Sequence, residues 1–132
     1  MQGTVRGTYR TTRWQQQEYA WAQGGPKLTL AEKDLAFQGE LEGAAVARSS
    51  IVQWNSGSTV ATGHLCITGR IGGRTGSFVV EEYSRGGSGG ATATWRIVPD
   101  SGADELAGVE GEGGWEWKPG AEEVAYTLSY RL

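Results

Sequence analysis

The residues best suited to chemistry in this sequence are carboxylates set among apolar or glycine neighbours. Glu82 closes the alternating series Phe78, Val80, Glu82, and a carboxyl group on an inward strand face is a candidate proton donor or acceptor near neutral pH, because desolvation disfavours its charged form. A carboxylate in water at the rim of the fold is the simpler reading of the same position. Glu40, beside Gly39, and Glu112, between Gly111 and Gly113, are candidates of the same kind, and Tyr126 offers a hydroxyl that could stabilise developing charge. No two carboxylates have a defensible glycosidase spacing. His64 and Cys66 share one strand face, but neither has a partner that would make a nucleophile–base pair. With a single Cys and a single His in the chain no zinc-type ligand cluster exists, and neither a metal nor another cofactor is expected. The glycines from Gly69 to Gly76 lack the lysine of a phosphate-binding loop. Arg6, Arg10 and Arg13 beside Tyr9 and Trp14 suggest a nucleic-acid surface only faintly, and a net charge of -3 argues against that partner.

The aromatic residues form a second constellation. Tyr9, Trp14, Phe37, Trp54, Trp95, Trp115, Trp117 and Tyr126, with Leu65 and Phe78, come from most of the expected strands. Inward-facing members would converge on one interior. A buried Trp or Tyr combines a large apolar surface with one hydrogen-bonding tip, which suits it to orient a largely apolar ligand. A solid core is the competing reading; bulky rings interspersed with glycine and alanine favour an open pocket.

Strands must position these groups. The chain has 132 residues, of which 22 are Gly and 6 are Trp, a composition that fits one turn-rich β domain spanning residues 1–132 and excludes disorder. Glycine clusters divide the sequence into eight expected strands: Thr4 to Trp14, Lys27 to Leu41, Ala44 to Trp54, Thr59 to Ile71, Arg74 to Tyr83, Ala91 to Val98, Leu106 to Trp117 and Glu123 to Arg131. The dipeptide Gly72-Gly73 suits a two-residue hairpin turn, which sets Leu65 opposite Val80 and Ile67 opposite Phe78. Period-2 alternation turns Trp95 inward with Ala93 and Ile97. Residues 30–37 could alternatively form a helix, and Gln15 to Gln23 is ambiguous. Eight sequential strands close most economically into a barrel, because closure removes exposed edges. No apolar run is long enough for a membrane helix, and the first residues lack a signal peptide's apolar run, so a soluble cytoplasmic protein is expected.

The stretch Ile67-Thr68-Gly69-Arg70-Ile71-Gly72-Gly73-Arg74-Thr75-Gly76-Ser77-Phe78 resembles the GxxGGRxGSF signature of the DUF3224 family of small bacterial proteins. Gly7-Thr8-Tyr9, Phe37-Gln38-Gly39-Glu40-Leu41-Glu42-Gly43, Ala91-Thr92-Ala93-Thr94-Trp95, Gly111-Glu112-Gly113 and Tyr126-Thr127-Leu128-Ser129-Tyr130 follow in the family's order. The resemblance implies an all-β fold, a closed eight-stranded antiparallel meander barrel similar to that of allene oxide cyclase. It implies no function, although barrels of this type include cyclases. The chain departs from the family pattern at Leu65, where an acidic residue is usual, and at Glu82, where a histidine is frequent.

Three functional readings follow. The first is a cofactor-free cyclase or isomerase of a small, largely apolar metabolite, with Glu82, Glu40 or Tyr126 moving a proton or stabilising charge. The second is a binding or carrier barrel with the same aromatic pocket and no catalysis. The third is a homo-oligomer built on outer apolar residues such as Val79 and Ala125.

Overall fold

The structure, a computed structural model, describes residues 1–21 and 23–132. Nine strands follow in order: β1 Gln2–Trp21, β2 Lys27–Gly39, β3 Leu41–Gln53, β4 Thr59–Ile71, β5 Arg74–Gly87, β6 Gly90–Ile97, β7 Ala103–Asp104, β8 Glu110–Trp117 and β9 Val124–Arg131. Seven sequential antiparallel pairings, with β6 passing directly to β8, and an eighth between β9 and β1 close an eight-stranded barrel. The two-residue β7 lies against β5 outside that closure. The resulting wall has hydrogen-bonded neighbours on both sides of each barrel strand over its paired length, as expected for a meander.

Alternation fixes what faces inward. Leu65 pairs with Val80 and Ile67 with Phe78, and all four are buried, as the Gly72-Gly73 turn requires. Both glycines take positive φ, 55° and 82°, the conformation a tight hairpin turn needs and side-chain-bearing residues resist. Residues 30–37 lie within β2: Ala31, Leu35 and Phe37 are buried on one face, and their period of two outweighs the weaker helical spacing. The Gln-rich segment extends β1 as far as Trp21, while Ala22, within that ambiguous stretch, lies outside the described residues.

The barrel has two unlike ends. At the lower end the β6–β8 connection folds back across the opening, and Leu106 and Val109 are fully buried there. Successive turn bonds, Leu106 N–H to Ala103 O, Ala107 N–H to Asp104 O and Val109 N–H to Leu106 O, wind this segment. That winding delays β8 until Glu110, whereas the sequence pattern places its start at Leu106. At the upper end β1 and β2 rise past the closure: β1 pairs with β9 only from Gln2 to Tyr9 but with β2 as far as Trp21. From Arg10 onward β1 therefore has a strand on one side only.

Candidate functional site

Glu82 stands on the inner face of β5, opposite Gly63 of β4 and Trp95 of β6. It is the one charged residue of the buried set among the described residues, 8% exposed. Its Oε2 accepts two indole N–H bonds, from Trp95 Nε1 at 2.8 Å and from Trp115 Nε1 at 2.8 Å. Indole nitrogen only donates, so both rings are committed to this oxygen. The register brings them together: Trp95 is Glu82's direct cross-strand partner, and Trp115 pairs with Ala93, two residues along β6 on the same face.

Oε1 accepts no hydrogen bond among the described residues, and no buried side-chain oxygen there is left unpaired; Oε1 therefore reaches accessible surface. The same reasoning places the Tyr9 hydroxyl at the surface of the site, although the residue is only 4% exposed. Burial, and then the charge on Glu82, push the Tyr9 phenol far above its ordinary value. The ring of Tyr9 meets Trp115 edge-on at 6.5 Å and Phe37 at 5.1 Å, while Trp95 stacks on Tyr126 at 6.3 Å. Phe37 joins the two groups through Trp95 at 6.1 Å and Tyr126 at 5.4 Å, so the aromatic contacts are continuous around the carboxylate.

Above Glu82, toward the upper end, the inward positions of β4, β5 and β6 are small, whereas β8 sets Trp115 opposite Ala93 and Trp117 opposite Ala91. Ser84 of β5, Ala91 and Ala93 of β6, and Ala61 and Gly63 of β4 are all half-buried. Below it the interior is filled by Phe78, Val80, Ile97 and Leu128, each 2% exposed or less. The carboxylate thus marks the boundary between a packed lower half and an upper part in which the small inward side chains of β4, β5 and β6 are only half-buried.

The remaining sequence-expected residues lie elsewhere. Glu40 sits at the lower-end β2–β3 turn, exposed, and its Oε1 accepts the Arg6 N–H at 3.0 Å; it belongs to a strand corner and not to the lumen. Trp14 and Trp54 are 48% and 42% exposed. Trp14 lies on the part of β1 beyond the barrel closure, its ring under the Lys33 ammonium at 5.1 Å, and Trp54 belongs to the β3–β4 turn. Neither is in the aromatic interior expected from sequence. Trp117 is half-buried at the upper end and donates to Ala121 O at 2.9 Å. Leu65, Phe37 and Phe78 are core. The Tyr126 hydroxyl lies within hydrogen-bond distance of Gln38 O and Leu41 O and accepts the Leu41 N–H at 3.0 Å, so it ties the β2–β3 turn. Its phenol is raised chiefly by burial.

On the outer side of the same wall a groove of about 610 Å³ runs over the backbone of Gly63, Glu82 and Trp95, flanked by His64, Glu81, Tyr83 and Arg96. His64 and Cys66 both face outward and are exposed, as the hairpin register indicates. No group of three His, Cys, Asp or Glu side chains among the described residues could hold a metal ion.

The Tyr9 shift has a measurable consequence. A phenol whose folded-state pKa is raised keeps its proton where the unfolded chain releases it, so the folded state loses stability as pH rises past the ordinary phenol value of 10.0. Tyr126 contributes in the same direction. Urea unfolding between pH 9 and pH 11 should show falling midpoints, and spectrophotometric titration of the folded protein should show both phenols resisting ionisation.

Fold and site define a closed antiparallel barrel whose aromatic core surrounds one buried carboxylate. The chain belongs to the family described as a protein of unknown function, DUF3224, whose model matches residues 5–130. The crystal structure of a protein with unknown function from the DUF3224 family, from Shewanella oneidensis MR-1, superposes with a TM-score of 0.83 at 24% identity, covering 100% of this chain and 98% of that one. Among curated proteins none matches the chain. No helix of the described residues is long and apolar enough to cross a membrane.

Proposed function

We propose that this protein is a small-molecule-binding barrel whose site is the cup above Glu82. It takes a small ligand with a largely apolar body and at least one hydrogen-bond donor. One observation carries this reading: Trp95 and Trp115 hold Oε2 of Glu82, while Oε1 accepts no hydrogen bond among the described residues and reaches accessible surface. Such a carboxylate is oriented in advance by its walls, and the rings provide the contact surface a ligand's apolar body needs. Titration with a panel of small, largely apolar metabolites should change the fluorescence of Trp95 and Trp115. A panel that leaves it unchanged at millimolar concentration contradicts the reading.

The same free oxygen favours a second reading, a cofactor-independent isomerase or cyclase in which Oε1 takes a proton from the bound ligand and returns it at another position. Geometry comes first in such a step, and a carboxylate clamped on one oxygen presents the other at a fixed angle. Glu82→Gln should then leave binding of a neutral ligand within a few-fold and lower turnover by about 10²–10⁴-fold. Unchanged turnover removes Glu82 from that role.

A further inference from the structure

We infer that the ligand's polar group is a cation, specifically a primary or secondary ammonium, received by Oε1 of Glu82. The inference rests on the cup being a ligand site and adds the chemical class of the group that enters it. A carboxylate on a residue only 8% exposed loses hydration that hydrogen bonds to one oxygen replace only in part. Buried charges are ordinarily paired, because desolvation without a countercharge is costly. Yet the ion pairs among the described residues join Arg13 to Asp34, Arg48 to Glu32, Arg70 to Glu42 and Arg131 to Glu110 and Glu112, all on exposed side chains. None reaches Glu82. Lys33, which shares the inward register of Leu35 and Phe37, has its ammonium over the Trp14 ring.

The two groups that touch Oε2 are neutral donors and leave the charge in place. Around it stand Trp95, Trp115 and Tyr9, and the negative faces of such rings attract a cation and repel an anion. A carboxylate with one free oxygen, walled by indole and phenol rings and open to a cup of small side chains, matches an ammonium carried on an apolar body. An N–H of the ammonium donates to Oε1, and its apolar carbons lie against the rings.

Three probes with the same ring separate the alternatives: benzylammonium, benzyl alcohol and benzoate, each titrated at pH 7 and fixed ionic strength with tryptophan fluorescence as the readout. The wild-type protein should bind benzylammonium roughly tenfold or more tighter than benzyl alcohol, and benzoate weakest. Glu82→Gln should bring benzylammonium and benzyl alcohol to within about twofold of each other, whereas Glu81→Gln, on the outer side of the wall, should keep the preference. Equal wild-type affinity for cation and alcohol, or tightest binding of benzoate, overturns the ammonium assignment and leaves the cup standing. Loss of the preference in Glu81→Gln, or its survival in Glu82→Gln, also overturns it by moving the cation elsewhere. Binding of none of the three overturns the cup itself. The wild-type ranking and the Glu81→Gln result decide the matter even if Glu82→Gln does not fold.

Discussion

Trp95→Ala is expected to lower the unfolding free energy by about 3–5 kcal/mol, the range for truncating a large buried aromatic side chain. Trp95 is 2% exposed, and its ring lies 6.3 Å from Tyr126 and 6.1 Å from Phe37. Removing it leaves a void among side chains drawn from β2, β6 and β9, which backbone pairing on both sides of β6 prevents from collapsing. It also takes one of two donors from Oε2 of Glu82, so the loss should fall at the upper part of that range. Trp115→Ala removes the other donor from a half-buried position and should cost less. Denaturant midpoints at constant slope measure both, and an equal loss for the two variants would mean that Trp95 is not the centre of the aromatic packing.

Gly39→Ala is the second large effect. Gly39 turns β2 into β3 with φ of 106°, and a Cβ there would lie 2.7 Å from the Gly7 Cα and 2.8 Å from Arg6 O. Gly57, in the β3–β4 turn, has a similar φ of 92°, but a Cβ there would meet nothing within 4 Å. Gly57→Ala should therefore cost only the left-handed conformation, about 1–2 kcal/mol. Gly39→Ala should cost that and a further 1–3 kcal/mol or so for overpacking, because β1 must move away from the corner tied by the Tyr126 hydroxyl. Equal unfolding midpoints for the two variants would show that the approach of Gly7 to Gly39 is looser than the structure has it.

Much of the barrel is legible in the sequence because its information is local. The Gly72-Gly73 turn fixes the β4–β5 register, and that register alone turns Leu65, Ile67, Phe78, Val80 and Glu82 inward. Alternation in Ala93, Trp95 and Ile97 does the same for β6. What escapes is the information carried between distant strands. The glycines from Gly86 to Gly90 leave the β5–β6 turn undefined in sequence, whereas pairing continues to Gly87 opposite Gly90 and thereby sets Trp95 beside Glu82. Trp115 reaches the same oxygen only because β8 skips the β7 segment to pair with β6. Trp14 has an inward-looking neighbourhood in sequence, but its exposure is decided by where β9 stops alongside β1. Glu40 has the glycine neighbour of a lumen carboxylate for a different reason, the turn that Gly39 forms.

The most direct test of the cup is a two-dimensional ¹⁵N–¹H spectrum of the labelled protein during titration with benzyl alcohol, a neutral probe that does not depend on the ammonium assignment. Five of the six tryptophans, Trp14, Trp54, Trp95, Trp115 and Trp117, supply indole signals at known places in the fold. The structure predicts that the Trp95 and Trp115 indole N–H signals shift together and saturably, while those of Trp14 and Trp54 stay fixed. Saturable shifts confined to amides around His64, Glu81 and Arg96 on the outer groove, with both interior indoles unmoved, would contradict it.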